Sequence, residues 1–277
     1  MRGFFYAGSE RFPKFIWPNN LIMFRVTTNI PSDVLLPYIH SYQLIESTFL
    51  SGYEDKLVAP HVIPGLAFNI GRPQTICDLQ RRQFLESLII LEPNSQPYSL
   101  RFFPGTRMIM LNFKSDGYYR VFGSPPLPCL EELRSQLKET DRYREQIRLI
   151  ESFLTTTLKH NKKYCRSISS AIALIYSSNG NASIHELEKE TFITKRTLER
   201  HFLKQTGMNL KIFSRIVRFK KMMKYIAEQQ TISLAELARK FGYYDQKHLR
   251  QEYLYFTGSL PEVRQFPATG LEQALDF

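Results

Sequence analysis

The sequence SIHELEKETFITKRTLERHFLKQTG spans Ser183 to Gly207, and SLAELARKFGYYDQKHLRQEYLYFTG repeats its plan from Ser233 to Gly258. Each stretch begins with Ser followed three residues later by Glu, a pattern that predicts a capped helix start. Each ends in Thr-Gly, and glycine commonly follows the last residue of a helix. Both stretches are therefore predicted to hold a short helix, a tight turn and a second helix.

In the first stretch, the second helix is predicted to run from about Lys195 to Gln205, capped by Thr194 and stopped by Gly207. A helix-turn-helix whose second helix starts with exposed polar residues is typical of DNA-binding proteins. The predicted apolar contacts of the unit are Ile184, Leu187, Phe192, Leu198 and Phe202. The candidate DNA-binding residues are Lys195, Arg196, Thr197 and Arg200.

The second stretch is predicted to follow the same plan, with Ser233 and Asp245 as the two caps and Gly242 ending the first helix. Its predicted inward-facing residues are Leu234, Leu237, Ala238, Phe241, Leu249, Tyr253 and Phe256. Its candidate DNA-binding residues are Gln246, Lys247, His248, Arg250 and Gln251. The Tyr243-Tyr244 pair is interpreted as core packing and turn rather than as a base-stacking pair.

The segment from Asn209 to Glu228, between the two units, has apolar residues at helical spacing with basic residues between them, including Lys220. Twenty helical residues are about 30 Å long, whereas one turn of B-DNA is about 34–36 Å. A rigid helix of this length would place the two second helices in successive major grooves. The basic residues along it and along both units are predicted to contact phosphates.

The C-terminal part of the chain resembles the AraC/XylS family of bacterial transcription regulators over about 100 residues. The matching residues are Leu187, Thr194, Leu198, Arg200, Phe202, Thr206-Gly207, Arg218, the stretch Ile232 to Ala238, Gly242-Tyr243, Asp245-Gln246, Thr257-Gly258, Pro261 and Arg264. The chain departs from the family at Met222, Gln251 and Glu252. The resemblance implies sequence-specific binding to double-stranded DNA, and RNA polymerase as a partner if the protein is an activator.

The N-terminal part is predicted to be rich in β-structure, so the fold class is α+β. Short apolar runs are separated by Pro and Gly, which suggests an antiparallel barrel or sandwich. These runs are Leu21 to Thr27, Gly65 to Ile70, Ser87 to Leu91, Tyr98 to Phe103 and Met108 to Phe113. From Leu130 to Leu158 the apolar spacing becomes helical. The predicted domains are 1–128, a helical connector at 129–162, and 163–277.

Two N-terminal stretches resemble a cupin-like domain found in some of these regulators. They are Pro64 to Gly71, and Ile109 to Phe113 with Gly117 to Arg120. This resemblance implies a β barrel that senses a small-molecule effector or forms a homodimer. The connector stripe is predicted either to cover the barrel or to dimerise. Arg101, Arg107 and Arg120 either line a site for an acidic ligand or form structural pairs.

Several classes of function are excluded. The three cysteines are far apart, so neither a disulfide scaffold nor a C-x-x-C metal or redox motif is present. The first domain has His40, His61 and His160 without the spacing of a cupin metal site. No nucleophile elbow, phosphate-binding loop or dinucleotide fingerprint occurs. We therefore expect no enzyme activity, no catalytic residues, no metal and no cofactor.

The positive charge is concentrated in the C-terminal part. Residues 1–160 contain 18 basic and 15 acidic residues, whereas residues 161–277 contain 19 and 11. A basic domain favours a polyanionic partner such as nucleic acid. No apolar run approaches the length of a membrane helix, so a cytoplasmic protein without a membrane partner is expected. A cupin-type metal enzyme and an interaction protein that no longer binds DNA remain the alternatives.

Overall fold

The computed structural model describes residues 24–123, 127–160, 166–228 and 233–260. Within these ranges, nine β-strands are followed by nine helices. This order confirms the α+β class, with a β-rich N-terminal part and a helical C-terminal part. The closer prediction of a cupin-like barrel stays a prediction, and so do the three domain boundaries.

The strands form two antiparallel sheets. Their bounds are β1 Phe24–Asn29, β2 Ile39–Ser47, β3 Glu54–Val58, β4 Gly65–Asn69, β5 Ile76–Asp78, β6 Gln83–Phe84, β7 Leu88–Leu91, β8 Tyr98–Phe102 and β9 Arg107–Phe113. The first sheet has the order β1-β2-β9-β4-β7, and the second has the order β3-β8-β5-β6. Five of these strands overlap the five predicted runs.

Side chains alternate between two cores across the first sheet, as the two-residue period of a strand requires. On β9, Ile109, Leu111 and Phe113 pack against helices, whereas Met108 and Met110 pack against the second sheet. The N-terminal part is therefore built in three layers, with the five-stranded sheet in the middle.

The helical layer consists of α1 (Gly117–Phe122), α2 (Leu127–Lys138) and α3 (Tyr143–His160). The apolar stripe predicted as one connector is thus split into two helices. Its residues are buried against the N-terminal part's own sheet, so the stripe covers the sheet and is not a free dimer surface. The buried members are Leu130, Leu133, Leu137, Ile147, Ile150 and Leu154.

Helix α1 was not predicted, because its stretch was assigned to the cupin-like resemblance. It begins at Gly117, where a Cβ atom would lie 1.9 Å from the carbonyl oxygen of Tyr38. Only glycine fits this close approach between the helix start and the segment before β2.

Six helices form the C-terminal part in the described ranges. Their bounds are α4 Arg166–Ser177, α5 Ile184–Thr191, α6 Lys195–Thr206, α7 Leu210–Glu228, α8 Leu234–Lys240 and α9 Gln246–Thr257. The core forms around α7, whose Phe213, Ile216 and Met222 are fully buried. The 19 residues of α7 connect the two units as one continuous helix, one residue shorter than predicted. Ile232, Pro261 and Arg264 lie outside the described residues.

Candidate nucleic-acid interface

The first helix-turn-helix unit consists of α5 and α6. The Ser183 hydroxyl accepts a hydrogen bond from the Glu186 backbone N–H, and the Glu186 carboxylate accepts one from the Ser183 backbone N–H. This is the predicted capping box. The Glu186 carboxylate accepts from the Ser183 side chain and backbone, and these bonds hold its pKa below its usual value.

Helix α6 starts at Lys195 as predicted, but its cap differs from the prediction. Thr194 occupies the cap position without a side-chain bond to the backbone, and its hydroxyl instead bonds the Thr197 hydroxyl at 3.3 Å. The Glu188 carboxylate of α5 accepts from the Lys195 backbone N–H. The two helices of the unit are therefore tied together at the start of α6.

The predicted DNA-binding residues of α6 lie on its exposed side. Lys195, Arg196 and Arg200 are exposed and Thr197 is partly buried, while Leu198 and Phe202 are fully buried in the C-terminal core. The helix ends at Gly207, which has a left-handed backbone conformation. One face of α6 thus anchors the helix, and the other presents cations from its first two turns.

The second unit, α8 and α9, has matching geometry. Ser233 and Glu236 form a second complete capping box, and Asp245 caps α9 by accepting from the His248 backbone N–H at 2.7 Å. Helix α9 has 12 residues, as α6 has, and it also ends at a left-handed glycine, Gly258. Local signals of the same kind therefore produce both units.

The predicted DNA-binding residues of α9 are not all exposed to solvent. Gln246, Lys247, Arg250 and Gln251 are exposed. His248 is partly buried: its Nδ1 accepts from the Tyr244 backbone N–H at 3.3 Å, and its ring packs edge-on against Tyr243. The His248 side chain therefore belongs to the turn, which makes it the weakest of the candidates.

Glu252 points away from the exposed face of α9. It is 7% exposed, and its carboxylate accepts from the guanidinium of Arg215 on α7, with an Nη2–Oε1 distance of 2.7 Å. The Arg215 guanidinium also lies over the Tyr255 ring, 4.6 Å from its centre. The Arg215–Glu252 pair thus couples the connecting helix α7 to α9.

The basic residues of α7 fall into two groups. Lys211 and Lys221 are exposed. Arg218 is held inside the C-terminal domain, because its guanidinium lies 4.7 Å from the Tyr243 ring centre and donates to the Gly242 carbonyl oxygen at 3.4 Å. The prediction that basic residues along the whole helix contact phosphates is therefore too broad.

The N-terminal part packs against the first unit rather than against the exposed side of α6. Val62 and Ile63, after β3, join the C-terminal core. The Ser169 hydroxyl of α4 donates to the Asp116 carboxylate. The Lys204 ammonium, near the end of α6, lies 5.9 Å from the centre of the Tyr119 ring. The docked domain thus leaves the first turns of α6 accessible.

Lys220 of α7 is partly buried near this contact, beside His61. Burial lowers the pKa of Lys220 to about 8. Burial, together with the positive charge of Lys220, lowers the pKa of His61 to about 4. The phosphate contact of Lys220 stays a prediction, and the desolvation of its ammonium beside His61 disfavours it.

Two aromatic predictions also need correction. Phe192 was predicted as an apolar contact within the first unit, yet its side chain is 91% exposed. Of the Tyr243-Tyr244 pair, Tyr243 packs in the core as predicted, whereas Tyr244 is 93% exposed. Burial cannot be inferred from residue type alone at a tight turn, since the backbone conformation decides where the side chain points.

The three arginines of the first part form structural pairs. The Arg101 guanidinium bonds the Asp55 carboxylate, with an Nε–Oδ1 distance of 2.7 Å. Arg107 bonds both Glu46 and Asp141. Arg120 lies 3.7 Å from Asp116 and donates to the Pro37 carbonyl oxygen at 3.1 Å. The interpretation as a site for an acidic ligand is therefore not supported.

The described ranges contain neither a cluster of possible metal ligands nor a helix that could span a membrane. Searching them for clusters of three or more His, Cys, Asp or Glu side chains that could hold a metal ion finds none. In the same ranges, no helix combines the length and the apolar character needed to cross a membrane.

Comparison with known proteins identifies the C-terminal domain. Residues 187–264 match the family described as "Helix-turn-helix domain". No curated protein matches the chain. Similar solved structures include ToxT from Vibrio cholerae, with 10% identity, 92% of this chain and 100% of ToxT covered, and a TM-score of 0.43. The AraC-like transcriptional activator CuxR is more distant, with 10% identity, 82% and 79% covered, and a TM-score of 0.22.

The helix-turn-helix match begins inside α5 and covers the rest of the first unit, the connecting helix and the second unit, in agreement with the two exposed basic helix starts. Residues 187–264 are therefore a helix-turn-helix domain, and the protein is a DNA-binding transcription regulator.

Proposed function

We propose that this regulator reads two successive major grooves on one face of its operator, with α6 in one groove and α9 in the next. The observation that carries the proposal is the single α7 helix between two units of matching geometry. Its 19 residues are about 28 Å long, close to the 34–36 Å pitch of B-DNA.

The two reading helices have different roles in this proposal. Arg196 and Arg200 on α6 contact base edges, because an arginine guanidinium can bond guanine O6 and N7 together. Lys195 and Thr197, on the same helix, also contact the DNA in this groove. On α9, the exposed Gln246, Lys247, Arg250 and Gln251 form the second contact, with His248 supporting the turn. Exposed lysines on both units contact phosphates and set the register.

We further propose that the N-terminal domain modulates DNA binding through its contact with α4, α6 and α7. A small-molecule effector, a homodimer or RNA polymerase would act through this domain or beside it. The support is the buried packing of Val62 against the C-terminal core. A structural change at this contact would shift α6, because the last turns of α6 lie against the N-terminal part.

Arg200→Ala is expected to weaken binding to the cognate operator by about 1–3 kcal/mol and to relax the preference at one base pair. The matched control is Lys204→Ala, which removes one positive charge from the same helix at the end that faces Tyr119. Binding is measured on cognate and random duplexes at two salt concentrations. If Arg200→Ala binds both duplexes as the parent does, the assignment of α6 as the reading helix is wrong.

A further inference from the structure

Phe192 holds an unfavourable backbone conformation at the turn between α5 and α6. Its φ and ψ are 56° and 28°, in the left-handed region, which bulky residues rarely adopt. The corresponding residue of the second unit, nine positions after the capping serine, is Gly242 with a φ of 70°. Glycine adopts this conformation without steric cost, so the first unit has a costly side chain where the second has none.

Packing within the chain does not offset this cost, because the Phe192 side chain is 91% exposed. A single exposed aromatic residue is ordinary. Here, however, the second unit has Tyr244, 93% exposed, directly before the cap of its own reading helix. These are the two most exposed aromatic side chains in the described ranges. Each reading helix is therefore preceded by one solvent-exposed ring.

The place of these rings indicates what they contact. In a helix-turn-helix complex the first helix crosses the DNA backbone, and the start of the second helix reaches the base edges. The turn between them consequently lies at the wall of the major groove. The apolar groups there are the deoxyribose rings and the methyl group of thymine, which accepts contact from phenylalanine.

We propose that Phe192 and Tyr244 pack against apolar groups of the DNA at the groove wall, one ring in each groove. The proposal rests on the proposed function and adds an apolar contact to the polar readers on α6 and α9. It accounts for a phenylalanine at a position where glycine would make the protein more stable.

The test is Phe192→Gly in the full chain, bound to a duplex selected from a random DNA pool. The thermal midpoint is expected to rise by about 2–4 °C, since the strain is removed. The dissociation constant is expected to rise about tenfold, since the ring is no longer buried on DNA. The matched control is Gln74→Gly, an exposed left-handed residue with a φ of 53° in the N-terminal part. It should leave the dissociation constant unchanged.

A duplex with uracil in place of thymine separates the two apolar partners. If the methyl group is the partner, the parent loses affinity on this duplex and Phe192→Gly causes no further loss. If the deoxyribose is the partner, the parent binds both duplexes equally and the variant is weaker on both. Tyr244→Ala should weaken binding in the same way at the second groove.

The inference is overturned if Phe192→Gly and Tyr244→Ala bind as tightly as the parent while Arg200→Ala does not. That outcome would leave the proposed function standing. A loss of transcription with unchanged DNA affinity would also overturn it, because the rings would then contact a protein. If the parent binds no DNA, the proposed function itself fails.

Discussion

Glu252→Ala is expected to lower the free energy of unfolding by about 3 kcal/mol, because it leaves the guanidinium of Arg215 without its carboxylate. Both side chains are largely buried, and the carboxylate accepts from two nitrogen atoms of the guanidinium. Urea unfolding followed by circular dichroism measures the loss. At a given protein concentration, the variant should also protect the second half of the operator less well than the first half, since Arg215 links α7 to α9.

The control for Glu252→Ala is the double variant Arg215→Met/Glu252→Met. Replacing a buried ion pair by apolar residues of similar volume is often neutral or stabilising, so the double variant should recover most of the stability. If Glu252→Ala unfolds within about 0.5 kcal/mol of the parent, the pair has no structural role. If the double variant is stable but binds both half-sites normally, the pair supports folding without orienting α9.

Lys220→Met is expected to raise the free energy of unfolding by roughly 2–3 kcal/mol at pH 7, because it removes a partly buried, desolvated ammonium and keeps its volume. The pKa of Lys220 falls from 10.5 in the unfolded chain to about 8 in the folded one. Between these values the unfolded chain binds the extra proton, so the parent becomes more stable as the pH rises from 8 to 10.5. The variant should lack this rise.

The matched control for Lys220→Met is Lys221→Met, a neighbouring exposed lysine on the same helix. It should change the stability by less than about 0.5 kcal/mol. Lys220→Met is also expected to leave the salt dependence of DNA binding unchanged, since Lys220 lies beside His61 of the N-terminal part. A salt slope reduced by about one would mean that Lys220 faces DNA, contrary to the docked arrangement of the two parts.

Signals that act within one turn of helix were readable in the sequence. Ser183 with Glu186, and Ser233 with Glu236, predicted both capping boxes because the partners are three residues apart. The same holds for the stop at Gly207, because glycine adopts the left-handed helix end most readily. For this reason the bounds of α6 and α7 were predicted to within one residue.

Features that depend on distant parts of the chain could not be predicted from the sequence. In strand β2, the polar residues His40, Ser41 and Gln43 interrupt the alternation of apolar and polar side chains that would predict a strand. Pairing with β1 and β9 stabilises β2 instead. The lowered pKa of Lys220 comes from desolvation beside His61, which lies some 160 residues earlier in the chain. The inward turn of Glu252 requires Arg215, which lies 37 residues away.

The exposed residues of α6 and α9 could be predicted only in part. Amphipathic spacing predicted which side of α6 is exposed, because Leu198 and Phe202 must be buried. It did not predict that His248 folds back onto its own turn, since this depends on a ring contact with Tyr243. Spacing therefore predicted the exposed residues of α6 more completely than those of α9.

The central claim is that two similar units bind successive grooves through one rigid connecting helix. The most direct test is selection of the purified protein on a pooled random-DNA library, over several rounds at two salt concentrations. Enrichment of two short motifs about one helical turn apart is the expected result. Uniform binding that weakens steeply with salt, or a single enriched motif, would contradict it.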